Sequence, residues 1–328
     1  MVRMQVNQSV PLNEDVFDAI ERVKNEKNAV ILAHYYQDPD IQDLADHLGD
    51  SLKLAQLAQK SQADVILFCG VHFMAETAKI LNPTRTVIIP DLNAGCSLAD
   101  SCPAPMLKAY KAQHPDHMVV SYINCSAGVK ALSDVICTSS NAEKIIGAIP
   151  EDKKILFTPD QHLGRYLMEK TGRDMKLWQG SCIVHEIFSE REILALKQKH
   201  PQADLIAHPE CAQAILKHAD HVGSTTSLLQ YAAVTDTQEL IVATEEGILH
   251  QMQKGAPNKT FIQAPTQEGC ACNVCPHMRL NTLEKIYQAL VTLEPAIEME
   301  ETLRLRAALP LERMLQITAG EDVDWSTP

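Results

Sequence analysis

Cysteines carry the clearest chemical potential in this 328-residue chain, which has ten of them. Three short apolar runs each lead into cysteine. Thr86-Val87-Ile88-Ile89 precedes Cys96, Met175-Lys176-Leu177-Trp178 precedes Cys182, and Thr260-Phe261-Ile262 precedes the cluster Cys270, Cys272 and Cys275. Thiolates from three separate loops can hold zinc or an iron–sulfur cluster. A closed structural zinc site takes four ligands, commonly in Cys-x2-Cys pairs. Only Cys272-Asn273-Val274-Cys275 has that spacing, and no second pair balances it. Alone, it reads as a redox pair or half a zinc site. Set beside two other cysteine loops, it reads as a loop giving one cluster ligand. Cys275 is the choice there, since Pro276 and a helix starting near Met278 follow it. Cys270 and Cys272 would then be neighbours able to form a reversible disulfide. Cys102 competes with Cys96 for the first ligand position. Cys69, Cys125, Cys137 and Cys211 read as core residues, because cysteine is among the most buried residue types. Four irons on three thiolates leave one iron open as a Lewis acid.

The elements that position these loops repeat. Val30–Gln37, Val119–Cys125 and Leu205–Cys211 are β-rich runs ending in polar residues. Their members His34, Tyr122 and His208 are spaced by 88 and 86 residues (122 − 34 and 208 − 122). Ser51, Ser139 and Thr225, at expected helix starts, keep the same steps (139 − 51 and 225 − 139). Helical segments such as Asp43–Leu48 and Ala212–His218 fall between. A second strand recurs at Val65–Phe68, Ile155–Phe157 and Leu240–Val242, the first leading into a helix over His72–Leu81. Short apolar strands alternating with helices predict parallel sheets covered on both faces, with ligands bound at the strand carboxyl ends. The expected fold is α/β, with three homologous units around a pseudo-threefold axis and the active site at its centre. The repeats divide the chain into 1–113 with an N-terminal helix, 114–199, and 200–328 with a C-terminal helical extension.

A formal net charge of −13 argues against a nucleic-acid surface, which needs basic patches to neutralise phosphate. No tract approaches the ~18 consecutive apolar residues of a membrane span. The first residues, Met1 to Gln8, lack the apolar stretch of a secretory signal. A cytoplasmic enzyme is expected, its cysteines thiols or metal ligands rather than disulfides.

Several motifs resemble quinolinate synthase. They are His34-Tyr35-Tyr36-Gln37, Gly70 to Ala78, Pro90 to Ala99, Tyr122-Ile123-Asn124, Cys137 to Ala142, Pro159 to Gly164, His208-Pro209-Glu210-Cys211 and Cys275-Pro276-His277-Met278. The resemblance runs from about residue 28 to 290. It implies condensation of iminoaspartate with dihydroxyacetone phosphate to quinolinate, phosphate and water, in de novo NAD synthesis. It implies one 4Fe-4S cluster on Cys96, Cys182 and Cys275, and a transient contact with the L-aspartate oxidase or dehydrogenase that supplies the imine. The substrate residues it implies are His34, Ser51, Tyr122, Ile123, Asn124, Ser139, His208, Pro209, Glu210 and Thr225.

Their chemistry is consistent with those roles. Ser51, Ser139 and Thr225 can cap helices or offer donors to carboxylate and phosphate oxygens. Tyr122 and Asn124 can orient a dicarboxylate through neutral hydrogen bonds. Glu210 is the expected general base, and His34 and His208 can bind phosphate or shuttle protons. Tyr36 can assist proton transfer or contact the open iron. Cys125 and Gly128 depart from the family pattern beside Tyr122 and Asn124. Two rival readings are another threefold α/β enzyme with a 4Fe-4S centre, such as the reductase that makes isoprenoid precursors, and a non-catalytic iron–sulfur or zinc carrier. The reductase would need electrons. The carrier would need neither Glu210 nor the helix-start hydroxyls.

Overall fold

The computed structural model describes residues 9–11, 14–267 and 273–325. Three parallel four-stranded sheets dominate it. The first contains β1 (Ala29–His34), β2 (His47–Gly49), β3 (Val65–Cys69) and β4 (Thr86–Ile88), in the order β2-β1-β3-β4. The second has β5 (His117–Tyr122), β6 (Val135–Cys137), β7 (Lys154–Thr158) and β8 (Met175–Leu177), in the order β6-β5-β7-β8. The third has β9 (Asp204–Ala207), β10 (His221–Val222), β11 (Glu239–Ala243) and β12 (Thr260–Gln263), in the order β10-β9-β11-β12. The expected α/β class and threefold repetition are therefore present. Val65-Ile66-Leu67-Phe68-Cys69 is buried throughout, as a parallel strand covered on both faces must be.

The register repeats as well as the order. The last pairs between the two central strands are Ala33–Cys69, Ser121–Thr158 and Ala207–Ala243. His34, Tyr122 and His208 each follow the first member of such a pair. One device holds all three sheets. Asp46 Oδ2 accepts the Ile31 N–H at 2.8 Å, Asp134 Oδ2 that of Val119 at 2.6 Å, and Asp220 Oδ2 that of Leu205 at 2.7 Å. Each aspartate also meets a lysine: Lys24 at 2.7 Å, Lys111 at 3.3 Å and Lys197 at 2.7 Å. The short second strand leaves a backbone donor of the first without a partner in the sheet, and the carboxylate satisfies it.

These aspartates explain one difference from expectation. Residues 43–48 are not one helix. Helix Pro39–Leu44 stops, Asp46 turns back to Ile31, and His47–Gly49 pairs with Leu32–His34. The sheets accordingly have four strands each, the extra one being only two or three residues long.

The chain divides into two compact units: Met1–Gly95 with Pro276–Met299, and Cys96–Cys275 with Glu300–Pro328. In the first, Asp15 caps helix Val16–Glu26 by accepting the Phe17 N–H. The helix buries Ala19, Ile20 and Val23 against Ile31, Leu67 and, from helix Leu283–Thr292, Ile286 and Leu290. The second unit contains the other two sheets and the helix Glu301–Ala319, which ends at Gly320 with φ 89°. Arg313, buried on that helix, donates to the Asp134 carbonyl at 2.9 Å.

Candidate active site

In a sheet of order 2-1-3-4, ligands bind where the connections diverge, at the carboxyl ends of the two central strands. In the second unit those ends carry Tyr122, Asp160, His208, Glu210 and Thr244. Glu210 is at the centre. Its Oε1 accepts the Tyr122 hydroxyl at 2.5 Å, and its Oε2 meets His185 Nδ1 at 3.0 Å. His185 Nε2 reaches Thr244 Oγ1 at 2.9 Å, and its ring stacks on His208 with centroids 4.7 Å apart. All these side chains are buried.

His208 Nδ1 accepts the Glu210 N–H at 3.4 Å, and in the first unit His34 Nδ1 accepts the Tyr36 N–H at 3.2 Å. A ring nitrogen that accepts from backbone leaves the proton of a neutral imidazole on Nε2. His208 Nε2 lies 3.3 Å from Ser139 Oγ. Tyr36 meets His34 edge-on at 4.5 Å.

Two buried carboxyls here have opposite electrostatics. Burial disfavours an ionised Glu210, but His185 and His208 and the bonds from His185 and Tyr122 outweigh it, drawing the group down to about 2. Asp160 is pushed well above the carboxylate range, first by burial and then by the Glu210 charge. Its Oδ1 caps helix Gln161–Thr171, accepting from His162 N at 2.7 Å and Leu163 N at 2.9 Å. Its Oδ2 is buried and has no hydrogen-bond partner among the described residues. Asn124 Oδ1 and His162 Nε2 are in the same state. One anion beside one neutral acid is the usual arrangement of an acid–base pair. Burial also raises Tyr122, followed by Glu210, so its phenol stays protonated as the donor.

The hydroxyls of Ser51 and Thr225 open helices Ser51–Lys60 and Thr225–Val234 without capping them. Asp50 caps the first by accepting from Lys53 N at 3.0 Å, and Ser224 caps the second by accepting from Ser227 N at 3.3 Å. Ser139 lies in a turn before helix Ala142–Ala148. Ile123 and Pro209 are the buried residues between the polar members of their motifs. Lys130, fully buried, donates to the carbonyls of Ile123 and Cys125, which shapes the Tyr122–Asn124 turn around the departure at Cys125.

The eight described cysteines form no disulfide. Cys102 is buried with Leu107, Val119, Cys125 and Leu156 in an apolar cluster, which gives it a packing role. Cys69, Cys125, Cys137 and Cys211 are buried too. Cys96, Cys182 and Cys275 are only partly so. Burial pushes the Cys96 thiol up to about 12, helped by the nearby charges of Glu210 and Cys275. Cys182 is raised by burial, then by Glu210 and Cys96. Cys96 is thus within electrostatic reach of both Cys182 and Cys275, and the three thiols are a soft donor set suited to zinc or iron–sulfur clusters. Cys182 Sγ, a His185 nitrogen and a Glu210 oxygen also lie within 4.8 Å of one another. Cys270 and Cys272, with their expected disulfide, lie outside the described residues.

Sequence reasoning does not single out His185, Thr244 or Asp160. The spacing Cys182-x-x-His185 is a signal for the first. Asp160 and Glu245 both stand two residues beyond the third-position strand of their sheets, a place the repeat makes visible only once strand ends are known.

Among the described residues no helix is long and apolar enough to cross a membrane. The profile of the family described as quinolinate synthetase A protein matches residues 18–316. A quinolinate synthase of Nostoc sp. (strain PCC 7120) is 64% identical over 304 residues, covering 93% of this chain and 94% of the relative. One from Gloeothece citriformis is 61% identical over 313 residues, covering 95% and 96%. One from Chloroherpeton thalassium, 61% identical over 305 residues, covers 93% and 95%. With a profile matching nearly its whole length and such relatives, the chain belongs to the quinolinate synthetase A family.

Proposed function

We propose that this chain condenses iminoaspartate with dihydroxyacetone phosphate to quinolinate in the cytoplasm, as a step of NAD synthesis. The observation that carries the reading is the buried Tyr122–Glu210–His185–Thr244 network at two strand ends, in the same unit as the thiols of Cys96, Cys182 and Cys275. A carrier protein has no use for such a network, because burying an anion and aligning two histidines on it costs stability.

Cys96, Cys182 and Cys275 are the residues that would hold a 4Fe-4S cluster. Bound there, it supplies an iron with no protein ligand, a Lewis acid for a carboxylate or hydroxyl oxygen. Every other role belongs to the chain. Glu210, ionised in the resting protein, is the base for the proton transfers of imine–enamine conversion and isomerisation, once a ligand displaces one of its donors. Tyr122 returns a proton from its hydroxyl. His208, with its proton on Nε2, and Ser139 form a donor pair for a phosphate or carboxylate. Asn124 orients a dicarboxylate through its amide, and Thr225 is assigned to the substrate by its place in the repeat, equivalent to Ser51 and Ser139. In the first unit, His34, Tyr36 and Ser51 hold the places in the repeat that Tyr122, Asn124 and Ser139 hold in the second sheet, and we assign them to substrate on that equivalence. The three-repeat division at 113/114 and 199/200 rests on the shared strand order. Transient delivery of the imine by an L-aspartate oxidase or dehydrogenase completes the proposal.

A second reading follows from one distance. A single ion at Cys182, His185 and Glu210 would meet mixed sulfur, nitrogen and oxygen ligands. It would have to break the bonds those groups make to Tyr122, Thr244 and each other. An anaerobic assay with both substrates, alongside iron and sulfide analysis, decides. Quinolinate formation without reductant, with about four irons and four sulfides per chain, supports the proposal. One metal and no sulfide would refute the cluster.

A further inference from the structure

We propose that Asn273 and Ser97 are positioning residues that brace the three cysteine loops to one another, so that the metal-free protein already presents Cys96, Cys182 and Cys275 as one site. The inference rests on the three-thiolate reading above and concerns what sets the spacing of those thiols.

The braces are hydrogen bonds between loops distant in sequence. Asn273, two residues before Cys275, donates from Nδ2 to the Val184 carbonyl, two residues after Cys182, at 2.9 Å. Asn273 is 1% exposed, so water does not compete for that bond. Ser97, adjacent to Cys96, accepts the N–H of Ile183, adjacent to Cys182, at 3.2 Å. The same hydroxyl is directed at the Ser181 carbonyl, 3.5 Å away. Each brace therefore grips both its loops within two residues of a thiol. Two residues span at most about 7 Å even when extended, so neither pair of loops can separate far while its brace holds.

The third loop has an anchor of its own. Glu245, fully buried, accepts the Cys275 N–H on Oε1 at 3.0 Å and the Gly247 N–H on Oε2 at 2.7 Å. The Glu246 N–H closes on the Asn273 carbonyl at 3.0 Å. Cys182 is fixed within its own turn, its carbonyl accepting from His185 N at 3.1 Å and Glu186 N at 2.9 Å. The three thiols thus sit on loops tied to β11 and to each other. Such preorganisation spares a metal the work of ordering its ligands.

Cobalt(II) added to anaerobic metal-free protein reads this directly through thiolate-to-metal absorption, with no substrate or turnover involved. Asn273→Ala should weaken cobalt binding by about 10-fold or more, the usual effect of removing an outer support of a ligand. Ser97→Ala should do likewise, and Ser97→Thr, which keeps the hydroxyl acceptor, should restore it. Parent-like affinity and band intensity in folded Asn273→Ala and Ser97→Ala would overturn the proposal. If Asn273→Ala does not fold, the Ser97 pair decides alone. Cys96→Ser, Cys182→Ser and Cys275→Ser are the separate control. If each keeps the parent absorption, the three-thiolate reading itself is wrong, whatever the brace variants do.

Discussion

Glu210→Gln tests the chemistry most sharply, because glutamine keeps the shape and removes only the charge. Glutamine Oε1 can still accept from Tyr122, which now stands 2.5 Å from Glu210 Oε1. Its amide must donate to His185 Nδ1, now 3.0 Å from Oε2. His185 must then carry its proton on Nε2, where Thr244 Oγ1 at 2.9 Å can accept it. The network survives with one tautomer changed. Two charge-assisted bonds become neutral ones, each weaker by about 1 kcal/mol. Relief from burying an anion offsets part of that loss. The net cost should stay within about 2 kcal/mol, a few degrees of Tm by the usual scaling. Activity should fall far more, by about 10²–10⁴, the common contribution of a general base. The assay is anaerobic quinolinate formation at matched iron content, with calorimetry on the same preparation. Turnover within about threefold of the parent would refute the base role. A collapse of the fold would refute the tautomer argument.

Other expectations follow from the same geometry. Asp160→Asn should raise stability at neutral pH in thermal melts, since the folded protein holds that carboxyl protonated while the unfolded chain ionises it. The sign follows from a folded pKa above 3.8: the favourable contribution is complete below 3.8 and is lost as pH rises through the folded value. Asp160→Ala should instead destabilise by about 1 kcal/mol, through the lost cap of helix Gln161–Thr171. Glu210 has the opposite sign: its contribution is complete above 4.5 and is lost as pH falls towards about 2, so Glu210→Gln should flatten acid unfolding in that window. Asp220→Ala leaves the Leu205 N–H buried without its acceptor at 2.7 Å, and should cost about 1–3 kcal/mol in denaturant melts with no direct effect on the site. No loss of stability would refute the clamp.

Much of the protein was legible in the sequence, because its signals are local and repeated. Apolar runs such as Val65–Phe68 and helix signals such as His72–Leu81 depend on neighbours along the chain, and the structure has both. The steps of 88 and 86 residues alone place His34, Tyr122 and His208 at equivalent strand ends. The short edge strands were not legible. Two or three residues carry no periodicity, and what defines them is a carboxylate reaching back across the turn, as Asp46 does to Ile31. The same holds at the site. Glu210 could be singled out beside His208, but its ionised state comes from His185 and Tyr122, 25 and 88 residues away in the chain. Asp160 looks like an ordinary helix cap until burial strands its second oxygen near that charge. Cys96 and Cys102 are equivalent as letters. Only packing separates them, because an apolar cluster surrounds one and other titratable groups the other. Sequence determined which residues could do chemistry and where along each repeat they fall. Tertiary structure decided which are charged, which are spent on capping or packing, and which loops are braced together, since desolvation and distant hydrogen bonds exist only in the folded chain.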